Sequence, residues 1–294
     1  MLSGRSVNLN ALSLKHVIPS SGNSVLAVTS LGDEVFVARY DTQKVEVYDA
    51  VTLSLQRSIT VPGLGPRPFG LIACIVNSCL YVSDSSGDRL QVFATVGDSC
   101  IHRADLTGSN AVMKWSVARH PRGLSVNRAH NVVVACWGAN KLQEYTTHGS
   151  LVREICVTKP YHAVQLSSGD YVVRQSTSPC VVIVVGVDGQ VRHSYGQSQT
   201  SDVRQMRNAA SLAVTKNDDI FVADELNNRI MSMNSSLSCV QELTLPVDDG
   251  IQQPLSLCLD ESRGRLMSVN VAENVECWSL VTLDCKQFHN FLLI

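Results

Sequence analysis

The chain has 294 residues, 45% of them apolar and 17% charged, with 24 Lys and Arg against 26 Asp and Glu. That is enough for one large domain or two small ones with a sizeable core, and it excludes an extended disordered polypeptide. The formal net charge of −2 excludes a chain that is basic overall, while leaving room for a local basic surface.

The first ten residues, MLSGRSVNLN, lack the apolar run of a secretory signal. VVIVVGV, Val181–Val187, is strand-sized, far short of the roughly 20 apolar residues of a membrane span. A cytoplasmic protein with no membrane association is expected. The ten cysteines form no close Cys-x-x-Cys pair, and Cys74, Cys136, Cys180, Cys258 and Cys277 lie inside apolar runs. There a thiol behaves as a small hydrophobe, so reduced thiols are expected.

From Ser24 onward one two-part pattern returns. SVLAVTSLG leads to VFVARYDTQKVEVY, and PFGLIACIV to LYVSDSSGDRLQVF. PRGLSVN leads to VVVACWGANKLQEY, and YHAVQLSSG to YVVRQSTSPCVVIV. ASLAVTKND leads to IFVADELNNRIMSM, and PLSLCLD to LMSVNVAENVECW. Each copy predicts a strand, a turn of Gly, Asn, Asp or Ser, a second strand, a short polar loop and a third strand. A more variable fourth strand follows, as in SLQRSITV, LVREICV and CVQELTL.

No helical period interrupts this plan. The reading is all-β: a six-bladed β-propeller of four-stranded antiparallel blades in a single domain, residues 1–294. The blades fall at about 24–63, 66–106, 121–158, 160–197, 208–246 and 252–292. Uneven spacing places insertions at Thr107 to Ala118 and at Gln197 to Arg207. The last blade can take its outer strand from CKQFHNFLLI or from VNLNALSLKHV near the N-terminus.

Pro-x-Gly-apolar, followed by apolar-Val-Ala/Ser-Asp, a short loop and Arg-apolar, resembles the NHL repeat. Asp224 to Arg229 and Asp84 to Arg89 are the best copies. The resemblance implies a binding platform for proteins or single-stranded RNA, as in tripartite-motif proteins. No RING or B-box array of Cys and His accompanies it.

The four residues Asp84, Arg89, Asp224 and Arg229 are read as a turn-building device, because a feature repeated around a propeller builds blades. Asp84, Asp224 and Asn270 occupy equivalent positions in three blades, but Arg39, Arg174 and Cys136–Trp137 stand there in the others. Cations near a channel mouth oppose a bound dication, so no metal, no cofactor and no catalytic set are expected.

Antiparallel blades put the loops between second and third strands on the same face as the loops joining blades. That face receives Arg39, Arg67, Arg119, His120, Arg122, Trp137, Lys141, Lys159, Tyr161, His162, Arg174 and Arg207 as candidate binding residues. The expected function is a non-catalytic interaction or scaffold module, a monomer docking a protein or peptide there. Single-stranded RNA binding by the same face is the alternative, with charge for phosphates and rings for bases. A metal-dependent hydrolase or lyase in the channel is favoured less.

Overall fold

Short runs rich in Val and Ile, closed by tight turns, form sheets that cannot cover both faces alone. In the computed structural model they cover one another. The structure describes residues 12–18, 23–85, 99–107, 112–196, 206–238, 240–243, 253–271 and 278–285.

A lone strand, β1 (Leu12–Ile18), comes first. The first blade holds β2 (Val25–Leu31), β3 (Glu34–Arg39), β4 (Lys44–Asp49) and β5 (Leu55–Thr60). The second holds β6 (Leu71–Cys74), β7 (Cys79–Ser85), β8 (Ser99–Asp105) and β9 (Val112–Ser116). The third holds β10 (Pro121–Val126), β11 (Val132–Cys136), β12 (Lys141–Tyr145) and β13 (Leu151–Cys156). The fourth holds β14 (Pro160–Gln165), β15 (Tyr171–Gln175), β16 (Val181–Val185) and β17 (Val191–Tyr195). The fifth holds β18 (Ala209–Val214), β19 (Ile220–Asp224), β20 (Arg229–Met233) and β21 (Val240–Leu243). The last consists of β22 (Pro254–Asp260), β23 (Arg265–Val271) and β24 (Trp278–Cys285), and β1 pairs antiparallel with β24 as its outer strand.

These are six four-stranded antiparallel sheets, the blades of a β-propeller. Their inner strands, β2, β6, β10, β14, β18 and β22, each contact the next, and β22 returns to β2. Burial follows the radius. β11, β16 and β19 are buried throughout, whereas β5, β13 and β17 are almost wholly exposed. A strand covered on both faces reads as a continuous apolar run; an outermost strand does not. The described cysteines form no disulfide, and no described helix is long and apolar enough to cross a membrane.

Two sequence expectations need correction. The third strand of blade two is not RLQVF: β8 takes that place, so Asp84 lies opposite Cys100 in the ladder. Arg89 lies outside the described residues. The stretch read as an insertion at Thr107 to Ala118 contains the fourth strand, β9, and the extra length falls between β7 and β8. RLQVF and CIHRA both alternate, and the repeat spacing favoured the nearer one. The second expected insertion, Gln197 to Arg207, falls between β17 and β18 and lies mostly outside the described residues.

A recurring device fixes each blade to its entry linker. Asp224, fully buried, accepts from the backbone N–H groups of Arg207 and Asn208 through Oδ1. Its Oδ2 accepts from Arg229 Nε at 2.9 Å and from Asn227 Nδ2 at 2.7 Å. Asn140 and Asn228, both left-handed after a single 3-10 turn, each accept from the linker into the following blade. The donors are the N–H groups of Lys159 and Gln253. Asn tolerates that backbone region better than most residues. Replacing Asp224 with Ala strands two linker amides and the Arg229 guanidinium. The expected loss is about 3–5 kcal/mol, read from urea unfolding at neutral pH.

Candidate active site

The inner strands enclose an axial cavity of about 320 Å³, with Phe69, Tyr161 and His162 in its wall. Much of the wall is backbone and small side chains because the strands approach closely. A methyl group on Gly70 would stand 2.6 Å from the Arg122 carbonyl oxygen, and one on Gly123 would stand 2.5 Å from the His162 ring. Ser83 completes the joint: its Oγ donates to Arg122 O at 2.8 Å and accepts from Gly70 N–H at 2.7 Å.

His162 belongs to this wall and ties three blades. Its Nδ1 accepts from Leu212 N–H at 3.0 Å, so the ring proton sits on Nε2, which faces Leu124 O at 3.2 Å. The half-buried ring lines the channel. Burial therefore pushes its pKa down to about 4, and the charge of Arg174 acts in the same direction. His162 is a neutral bracket.

At the channel mouth, cations and rings alternate. The Arg122 guanidinium lies 4.3 Å from the Phe69 ring centre, 5.8 Å from Tyr161 and 5.9 Å from Trp137. Arg174 covers the other side of Tyr161 at 4.0 Å, and Lys159 Nζ lies 5.9 Å from Trp137. His120 meets Trp137 edge to face at 6.0 Å. These contacts hold the guanidiniums flat and desolvated.

Arg174 is 3% exposed, yet only one of its nitrogens is engaged among the described residues: Nη2 donates to Asn208 Oδ1 at 2.6 Å. Nε and Nη1 are buried with no hydrogen-bond partner. Leaving a buried donor unmet costs about 1–3 kcal/mol, more for a charged group. Asn208 also donates from Nδ2 to Glu225 Oε2 at 2.7 Å, so it stands between Arg174 and a carboxylate. Burial raises the Glu225 pKa above the usual 4.5, opposed by the Arg174 charge and the Asn208 hydrogen bond. The result is a desolvated cation with open donors beside a carboxylate of raised basicity.

Of the candidates read from sequence, His120, Arg122, Trp137, Lys159, Tyr161 and Arg174 come together at the mouth. Others do not. Arg39 is buried inside blade one, where it meets Glu46 Oε2 at 2.7 Å, Asn23 O and Tyr48. Lys141 pairs with Glu154 at 2.9 Å towards the outer part of its blade. Arg67 is half-buried on the linker before β6, whereas Arg119 and Arg207 are exposed on theirs. Phe69, Asn208 and Glu225 were missed. Phe69 sits in PFG beside a signature already recognised. Glu225 is hidden in a loop whose Asp and Arg satisfy each other.

No protein-family model matches the chain, and no curated protein matches it. Solved structures do. The fold is similar to virginiamycin B lyase from Staphylococcus aureus, with a TM-score of 0.63 and 10% identity over 93% of this chain and 99% of that one. It is similar to a PQQ-bound aldose sugar dehydrogenase from Streptomyces coelicolor, with a TM-score of 0.65 and 11% identity over 93% and 98%. A chain of a nidogen/laminin complex matches at 0.63 and 13% over 86% and 89%. These likenesses show the β-propeller fold, and the NHL resemblance gains nothing beyond it. They overturn the expectation of a non-catalytic module: structures with this fold include a lyase and a dehydrogenase, so the fold gives no ground for excluding catalysis.

The His162 bracket predicts acid sensitivity. Its folded pKa of about 4 lies below the unfolded 6.5, so the unfolded chain binds the proton first. Its stabilising contribution is complete above pH 6.5 and is lost as pH falls towards 4, by at most about 3 kcal/mol. Urea unfolding at pH 7 and pH 4.5 measures that loss. His162→Gln should be less stable at pH 7 and lose less on acidification; an unchanged pH slope would refute the assignment.

Proposed function

We propose that the channel mouth is the active site of an enzyme acting on a small anionic substrate. Arg174 carries this reading, because its buried Nε and Nη1 point to an acidic group supplied by a ligand. A carboxylate or phosphate oxygen can accept a charge-assisted hydrogen bond from one of these donors. Phe69, Trp137 and Tyr161 offer apolar faces for the rest of the molecule, and exposed Lys159 adds attraction for anions at the rim.

The arrangement suits removal of a proton from the carbon next to the bound acid group or carbonyl. Glu225 is the general base, made more basic by burial. Negative charge developing on the substrate oxygen is met by the Arg174 guanidinium, in a site where water does not compete. The C–H electron pair then forms a C=C bond and expels a leaving group from the adjacent carbon, an elimination.

Thermal shift against small mono- and dicarboxylates and phosphate esters tests binding first. At least one class should raise Tm, and Arg174→Gln should weaken that binding by about 10-fold or more, the cost of a charged hydrogen bond. No response from any anion at millimolar concentration would refute the reading. For a turned-over substrate, Glu225→Gln should cut kcat by about 10²-fold or more with little change in KM. Wild-type kcat/KM should rise with pH as Glu225 ionises, in a range above pH 4.5.

A further inference from the structure

Blade two holds a group of side chains that the proposed reaction does not use. Cys100 and His102 are two residues apart on β8 and so point to the same side of the sheet. Asp84 lies opposite Cys100 on the neighbouring strand β7. All three are buried, His102 completely. Asp84 Oδ2 lies 3.4 Å from His102 Nε2 and 3.9 Å from Cys100 Sγ, and Sγ lies 3.5 Å from Nε2.

We propose that Asp84, Cys100 and His102 form a binding site for a single divalent transition-metal ion, zinc by preference. The three separations are long for the charge-assisted hydrogen bonds that a buried carboxylate, imidazole and thiol would otherwise make, which run at about 2.7–2.9 Å for N–H to O. The two separations from His102 Nε2 match the edges of a tetrahedron around one ion, and the Asp84–Cys100 separation, at 3.9 Å, is slightly wider. With Zn–S near 2.3 Å and Zn–N and Zn–O near 2.0–2.2 Å, those edges are about 3.4–3.6 Å. One soft sulfur, one imidazole and one carboxylate favour zinc over calcium or magnesium, which take oxygen donors.

The carboxylate is already oriented for the task, because Gly65 N–H donates to Asp84 Oδ2 at 2.9 Å. His102 Nδ1 is buried without a hydrogen-bond partner. The imidazole therefore lacks the outer contact that usually strengthens such a ligand, which places the affinity about 10–100-fold below a site that has it. Among the described residues the group supplies three ligands. The site uses the repeat position that carries the Asp224–Arg229 pair in blade five: the residue opposite Asp224 is Arg229, and the residue opposite Asp84 is Cys100. It shares no side chain with the anion site.

The test uses the full chain, stripped with a chelator and reloaded with Zn²⁺ or Co²⁺ alone. One equivalent of either ion is expected, and the cobalt form should show a thiolate-to-cobalt charge-transfer band with intense tetrahedral visible bands. Cys100→Ser should abolish the charge-transfer band while preserving the circular dichroism spectrum. His102→Gln should weaken zinc binding by at least about 100-fold in competition with a chromophoric chelator. The proposal is overturned if the wild-type chain takes up no metal. It is equally overturned if Cys100→Ser keeps the charge-transfer band, because another cysteine would then hold the ion. Anion binding at the channel mouth should persist in the stripped protein, so either result stands apart from the enzymatic reading.

Discussion

Every blade of this propeller must hold the linker by which the chain enters it, because that linker carries backbone groups into a partly buried joint. The unmet cost of one such group is about 1–3 kcal/mol. Blade five solves the problem with Asp224, and blade two with Asp84 on Gly65 N–H. In blade one Arg39 donates to Asn23 O; in blade three Gln143 Oε1 accepts from Ala118 N–H. Blade four uses Gln175, whose Nε2 donates to Thr158 O at 2.9 Å. The requirement is constant and the residue that meets it is not.

That freedom explains where chemistry becomes available. In blade four Gln175 serves the linker, so the adjacent Arg174 is released from the task that Arg39 performs in blade one. It turns instead to Asn208 of the next linker and keeps two buried donors open. In blade two the Asp remains, but its cross-strand neighbour is a thiol with an imidazole beside it. The blade-two group arises by keeping the position and changing its partner, the blade-four site by changing the residue at the position and freeing its neighbour. The Gly70–Ser83–Arg122 joint then fixes the guanidinium of the adjoining blade against Phe69 and Tyr161.

The repeated strands were legible because burial on both faces demands unbroken apolar runs, as in VVVAC and IFVAD. The cation and aromatic cluster was half legible: Arg122, Trp137, Tyr161 and Arg174 could be placed on one face from topology alone. Their usefulness could not be seen, since it depends on which guanidinium has its donors satisfied. Arg39 and Gln175 sit at matching places in the ladders, and Arg174 stands one residue earlier, away from any counterpart of the Glu46 and Tyr48 that engage Arg39. The Asp84 group was illegible for a different reason. Its strand begins 15 residues after Asp84, and a spacing argument pairs Asp84 with the nearer Arg89.

The pairing of β1 with β24 also sets an order of events during synthesis. Leu12 lies opposite Cys285, among the most distant contacts in the chain, and loop closure over such a separation is slow. Of the described strands β1 therefore waits longest for its partner, while blades one to five can complete their own sheets from local sequence. Until then the last blade presents β24 as an open edge, the kind of edge that recruits other chains. A nascent propeller of this design is most vulnerable to aggregation just before it is finished.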